Sequence, residues 1–150
     1  MIDMTDVLIY WRDYRKNLIT GVTAWHSNAG LLGKLVPGDL LWFVTSGKNL
    51  HEEAAAAAFL VAVWQVEEVL ANPGDNPAYP KANYQWRIVA NEQGSIDFRE
   101  PVMVDHVLRP QGRDPGLSIG RFLQGPRKLK ESAALQLRAA AAPSAPGHLA

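Results

Sequence analysis

The chain has 150 residues, no cysteine, and 15 Lys and Arg against 15 Asp and Glu, a formal net charge of zero. That length supports one domain with a core that needs no covalent staples, and without cysteine there are neither disulfides nor thiolate metal sites. No apolar run approaches the roughly 20 residues of a membrane span.

The start, Met1-Ile2-Asp3-Met4-Thr5-Asp6, is acidic and lacks the basic-then-apolar layout of a secretory signal. A soluble, cytoplasmic protein with no membrane partner is therefore expected. The zero balance conceals an asymmetry: residues 1–50 carry +1, residues 51–100 carry −5 and residues 101–150 carry +4. The basic last third is where phosphates would be met.

Val7-Leu8-Ile9-Tyr10-Trp11 is short, β-branched and aromatic, and predicts a buried first strand. Residues 12–16 form a charged connection. Across 17–35 the signal is mixed: Leu31, Leu32 and Leu35 have helical spacing, while Gly30 and Gly33 weaken a helix. Pro37-Gly38-Asp39 is a tight turn. It launches a strand over 40–45 whose two faces, Leu40, Trp42, Val44 and Leu41, Phe43, are both apolar. Such a strand lies between two layers or in a barrel wall.

A polar loop over 46–53 leads to Ala54–Ala58, which end it as a helical turn or enter the next strand, propensity alone favouring the helix. Residues 59–69 predict a long strand with Leu60, Ala62, Trp64 and Val66 on one face. Asn72-Pro73-Gly74-Asp75-Asn76-Pro77 is a loop. Residues 84–90 alternate as a strand, and 101–108 is a weaker one. Residues 109–126 read as an ordered surface loop containing a short turn, 131–142 as a helix, and 143–150 as a frayed tail. The expected organisation is one domain over 1–142 plus that tail. About five or six strands with two or three helices, lacking a βαβ rhythm, favour a mixed α+β barrel over a doubly wound sheet.

No catalytic constellation emerges, and no cofactor is called for. His26, His51, His106 and His148 have no metal-ligand spacing, and His51-Glu52-Glu53 lacks the second histidine of a zincin motif. Glu67 and Glu68 are neighbours on a strand and point to opposite faces. Ser46-Gly47-Lys48 lacks the first glycine of a phosphate loop. What remains is aromatic. Trp11 and Trp42 sit inside apolar runs and read as core, as do Trp64 and Trp86, although a barrel mouth could use either of the latter. Trp25 differs, because Thr23, Ala24, Ser27 and Asn28 around it are small or polar. It reads as a binding surface, with Tyr79 a lid aromatic on the Pro-rich loop.

The succession of segments resembles the PUA-like superfamily and, within it, the EVE domain, with the YTH domain a more distant relative. The residues carrying the likeness are Val7–Trp11, Trp25 with its polar followers, Val36-Pro37-Gly38-Asp39-Leu40-Leu41-Trp42-Phe43, Val66-Glu67-Glu68-Val69, residues 84–90 and the late Leu129-Lys130-Glu131-Ser132, together spanning 7–138. Where EVE domains carry a Gly-Val-Arg-Asn-like run after this tryptophan, His26-Ser27-Asn28 stands here, and Trp25-His26-Ser27 is similar to the YTH arrangement. The resemblance implies a PUA-like pseudobarrel of about five or six strands flanked by short helices. It implies a non-enzymatic module that holds a flipped, modified base of DNA or RNA in an aromatic cage, working beside a nuclease or modification enzyme. Trp25, Ser27, Asn28, Trp64, Tyr79 and Trp86 would meet the base, and Arg121, Arg127, Lys128 and Lys130 the phosphates. Two rival readings stand beside it: a barrel that binds a small molecule or a protein, and a small hydrolase or transferase with His26 as its base.

Overall fold

The computed structural model describes residues 4–14, 24–109, 118–123 and 125–144. The expected tail beyond residue 144, and residues 110–117 of the expected loop, lie outside them. The elements in chain order are β1 (Asp6–Tyr10), β2 (Ala24–Ser27), α1 (Gly30–Gly33), β3 (Leu40–Ser46), a 3-10 turn (Gly47–Leu50) and β4 (Ala58–Ala71). Then follow β5 (Trp86–Met103), α2 (Asp105–Leu108), α3 (Ile119–Phe122), β6 (Arg127–Lys128), α4 (Glu131–Ala141) and a closing 3-10 turn (Ala142–Ser144). The strands form one six-stranded sheet in the order β2-β5-β4-β3-β1-β6. Among the described residues only β1 and β3 run parallel, with Val7 opposite Leu41 and Ile9 opposite Phe43; the other pairings are antiparallel.

β3 is the spine. All seven of its residues are buried, and its alternation divides them as the sequence predicts. Leu41 and Phe43 join Val7, Ile9, Trp11 and Trp64 in one cluster. Leu40, Trp42 and Val44 join Leu8, Phe98 and Leu137 in another, under α4. Burying both faces of a strand this way removes about 1.5–3 kcal/mol worth of apolar surface from water per large side chain. Trp42 still satisfies its one donor, since its indole N–H reaches Asp6 Oδ1 at 2.9 Å.

The entry to β3 is fixed by Pro37-Gly38-Asp39. Gly38 takes φ +99°, which a side chain resists. Asp39 is buried and spends both carboxylate oxygens on backbone donors, accepting from Thr5 N and Val36 N at 2.9 Å each. These bonds tie the end of the turn to the residues just before β1.

The sheet is rolled. Trp25 lies on β2, at one end of the strand order, and Trp11 follows β1, four strands away. In a flat sheet four steps of about 4.8 Å would separate them by roughly 19 Å. Their ring centroids stand 5.5 Å apart. The register shifts of β4 against β5, at Leu60/Ala62, Val63/Gln65 and Val66/Glu68, supply the bends. The result is an α+β pseudobarrel with a seam between β1 and β2.

Several elements depart from the sequence reading. Ala54–Ala57 form turns and no helix, because Gly47 N and Lys48 N bond Ala57 O and Ala55 O and pull the segment into a return loop. Leu60 does not share a face with Ala62, Trp64 and Val66: the shift at Leu60/Ala62 resets the alternation and puts Leu60 in the α4-side cluster. Residues 86–103 are one strand, so the expected strands at 84–90 and 101–108 merge through the polar stretch 91–100. Residues 105–108 turn into α2. β2, within the mixed stretch 17–35, escapes the sequence reading altogether.

A cleft at the seam of the barrel

β2 pairs with β5 so that Trp25 stands opposite Ile88 and His26 opposite Arg87. Period-two alternation sends Trp25 and Ile88 to the core side and His26 and Arg87 to the other. Trp25 meets Trp11 edge-on and Phe43 at a tilt, with centroids 5.5 and 5.0 Å away. It nevertheless stays half-buried, because β2 is an edge strand and its free side borders the seam.

Two clefts open along that seam. One, of about 490 Å³, is lined by Tyr10, Trp11, Arg12, Asp13, Ala24, Trp25, His26, Tyr79, Tyr84 and Gly120. The other, of about 460 Å³, is lined by Ile9, Tyr10, Trp25, His26, Ser27, Asn28, Asn83, Tyr84, Leu123, Gly125 and Pro126. Tyr10, Trp25, His26 and Tyr84 belong to both. Polar groups converge on the second. Ser27 Oγ accepts from Ala29 N at 3.0 Å, which leaves its own O–H to donate. Asn28 is exposed at the same wall. Tyr10 is held in place, since Asn49 Nδ2 donates to its hydroxyl at 2.9 Å.

A clasp of side chains backs this wall. Tyr79 lies flat on the His26 imidazole, centroids 4.1 Å apart and planes 10° off parallel, and meets Tyr84 edge-on at 5.2 Å. Arg87 Nε donates to His26 Nε2 at 2.9 Å, and the Arg87 guanidinium pairs with Asp75. The loop carrying Asp75 and Tyr79 is anchored by Asn72, a buried side chain whose Nδ2 donates to Tyr79 O at 2.9 Å and Tyr84 O at 2.7 Å. Burial first, and the Arg87 charge second, hold the His26 pKa below its ordinary value; Asp75 offsets part of this. The bond from Arg87 in turn lowers the Asp75 carboxyl.

The predicted base-binding set is only partly assembled. Trp25, Ser27, Asn28 and Tyr79 all line the seam. Trp64 does not: it is 4 % exposed, touches Trp11 and Phe43, and gives its N–H to Asp97 Oδ1 at 3.2 Å. Trp86 lies against Gly33 rather than in either cleft. Of the basic residues, Arg121 on α3 adjoins Gly120 of the first cleft and Arg127 adjoins Pro126 of the second, both exposed. Arg127 also sits over the Phe122 ring at 5.1 Å. Lys128 on β6 and Lys130 before α4 continue the basic strip beyond the lining.

Sequence reasoning overlooked Tyr10, Asn83, Tyr84 and Arg87. The alternation of Arg87 with Trp86 and Ile88 was visible, but its partner His26 belongs to a strand that was not recognised. A third cleft, of about 810 Å³, lies on β4 and β5 at their register shifts. Trp64, Glu67, Glu92 and Asp97 are among its walls, and it takes in none of the seam residues. Among the described residues no three His, Asp or Glu side chains are grouped to hold a metal.

No protein-family model matches the chain, and no curated protein matches it. Several solved structures are similar. Over 89% of this chain and 90% of its own, the NMR structure of Rpa0253 from Rhodopseudomonas palustris superposes with a TM-score of 0.51 at 14% identity. A hypothetical protein from Leishmania major covers 90% of this chain and 92% of its own, with a TM-score of 0.49 at 8% identity. The likeness to Rpa0253 is one of fold, shared over nearly the whole length of both chains.

Proposed function

We propose that this protein is a non-enzymatic nucleic-acid-binding module that recognises a modified nucleobase, as its resemblance to EVE and other PUA-like domains implies. One observation carries the reading: Trp25 is half-buried at the seam and lines both clefts, and Ser27 and Asn28 share one cleft with it. Each cleft falls within the roughly 300–1,000 Å³ that suits a small planar guest. An aromatic platform contributes about 1–3 kcal/mol to a stacked base. Flipping a base out of a helix costs a few kcal/mol, least where the base is unpaired. A methyl enclosed among Tyr10, Trp25 and Tyr84 adds about 0.8 kcal/mol, enough for a several-fold preference. Arg121, Arg127, Lys128 and Lys130 would supply contacts to the backbone, which position without reading sequence.

The test is a titration of modified and unmodified single-stranded and duplex oligonucleotides against wild type and Trp25→Ala. The reading expects one modified oligonucleotide to bind wild type best and to lose about tenfold or more in the variant. Equal affinity in every combination would end it.

A second reading, a barrel for a neutral small molecule or a protein, draws on the zero net charge and the acid-lined third cleft. It expects affinity that does not change with salt, whereas phosphate contacts make log affinity fall linearly with log salt.

A further inference from the structure

His26 stands where the resemblance would have a different residue, and its hydrogen bonding fixes which nitrogen carries the proton. Arginine stays protonated at any accessible pH, and Arg87 Nε donates to His26 Nε2 at 2.9 Å. Nε2 must therefore keep its lone pair. In the neutral ring the single proton then sits on Nδ1. Nδ1 is shut off from solvent and finds no acceptor among the described residues. A buried donor without a partner is costly, and such groups in native proteins call for an explanation.

We propose that Arg87 is a positioning residue that locks His26 as a hydrogen-bond donor at Nδ1, so that the seam selects guests presenting a carbonyl oxygen or an unprotonated ring nitrogen to that edge. This rests on the proposed function, in that it names the chemistry of the guest taken by the same site. His26 belongs to the walls of both clefts, next to Trp25 along β2 and on the opposite face of the strand, so a guest that fills either cleft borders His26. The cover over His26 is the Tyr79 ring, carried by an exposed loop. In this proposal the Tyr79 side chain swings off His26 to admit the guest, while Asn72 keeps hold of the Tyr79 carbonyl and Arg87 of Asp75. In the shielded seam, where water does not compete, the new bond is stronger than an exposed one.

The charged and titratable surroundings are consistent with a fixed neutral ring. Arg87 from β5 faces Nε2, Asp75 and Tyr79 come from the loop, and Tyr10, Arg12 and Asp13 share the first cleft. Protonating His26 removes the lone pair that Arg87 uses and sets two cations side by side, which releases the clasp.

Nitrogen-15 NMR of the histidine rings tests the assignment with no guest at all. At pH 7.5 wild type is expected to show His26 as the Nδ1–H tautomer, and Arg87→Gln is expected to shift it toward Nε2–H. A wild-type ring protonated at Nε2 overturns the proposal. Adding the free nucleosides uridine and cytidine, and then the oligonucleotides above, is expected to move the His26 Nδ1–H resonance. If no member of that panel moves it, the guest assignment falls. If only nucleosides move it while no oligonucleotide binds, the proposed nucleic-acid function falls and this inference stands. Two uncharged variants of similar size complete the test. His26→Asn keeps an N–H near the Nδ1 position, and His26→Leu has none. The Asn variant is expected to retain guest affinity about tenfold better than the Leu variant, and equal affinities would overturn the donor role.

Discussion

The indole of Trp86 lies so close over Gly33 that a Cβ on that glycine would come within 2.4 Å of Trp86 Cε2. Gly33 ends α1, and the missing side chain lets β5 close against it. Gly33→Ala therefore forces Trp86 or the helix to move. Overpacking of this kind costs about 1–3 kcal/mol, or a fall of roughly 3–10 °C in melting temperature for a chain of this size. Differential scanning calorimetry of the variant checks it; an unchanged melting temperature would mean that Trp86 yields freely.

Asp39 holds the turn before β3 through two bonds to backbone N–H groups. Asp39→Ala removes the acceptor of both donors, which lie in a half-buried setting. The expected loss is about 1–3 kcal/mol, since hydrogen bonds to charged groups contribute about 1.5–3 kcal/mol each and water can reach part of what is freed. Asp39→Asn keeps one acceptor and should fall between wild type and Ala in urea unfolding.

Asn72 is the buried peg of the loop that carries Tyr79. In Asn72→Ala the amides of residues 73–84 are expected to exchange hydrogen for deuterium faster, while those of β3 stay protected. Uniform acceleration across the chain would instead point to global destabilisation.

The lowered pKa of His26 sets a pH dependence of stability. Its folded value lies below the ordinary 6.5, so the unfolded chain binds more protons in the interval between the two. Stability from this group is full above about pH 6.5 and is lost as pH falls toward the folded value. Wild type should lose more stability than His26→Ala between pH 7.5 and pH 5 in denaturant titrations, and parallel losses would contradict the assigned cause.

If the basic strip meets phosphate, Arg127→Ala and Lys128→Ala should each weaken oligonucleotide binding across all sequences. Each should also flatten the slope of log affinity against log salt by about one. A slope unchanged in both variants would remove these two residues from the interface.

How far the sequence foretold this architecture depends on the length scale of each signal. β3 was legible because two-faced burial leaves a continuous apolar run, and the Pro37-Gly38-Asp39 turn marks its start. The helix over 131–141 was legible by composition, though only Leu137 and not the exposed Leu135 is buried. β5 was legible only at its ends, because its middle, Asn91 to Ser95, is polar and borders a cleft rather than the core. At β4 the period-two rule failed at the register shifts, where an extra residue exchanges the faces. Trp25 stood out through its small polar neighbours, whereas the clasp of Asp75, Arg87 and His26 joins residues up to 61 positions apart. No local pattern encodes such a contact. It exists only once the edge strand has been paired.

The rolled sheet also provides its own optical gauge. Trp11, Trp25 and Trp64 bring three indoles within 5.5 Å of a neighbour, drawn from distant strands. Chromophores that near mix their excited states, so the closed molecule should give an exciton-coupled ultraviolet dichroism band that weakens when β2 and its Trp25 peel away from Trp11. Any guest stacking on Trp25 would perturb the same band, and seating and unrolling could then be followed through a single intrinsic signal.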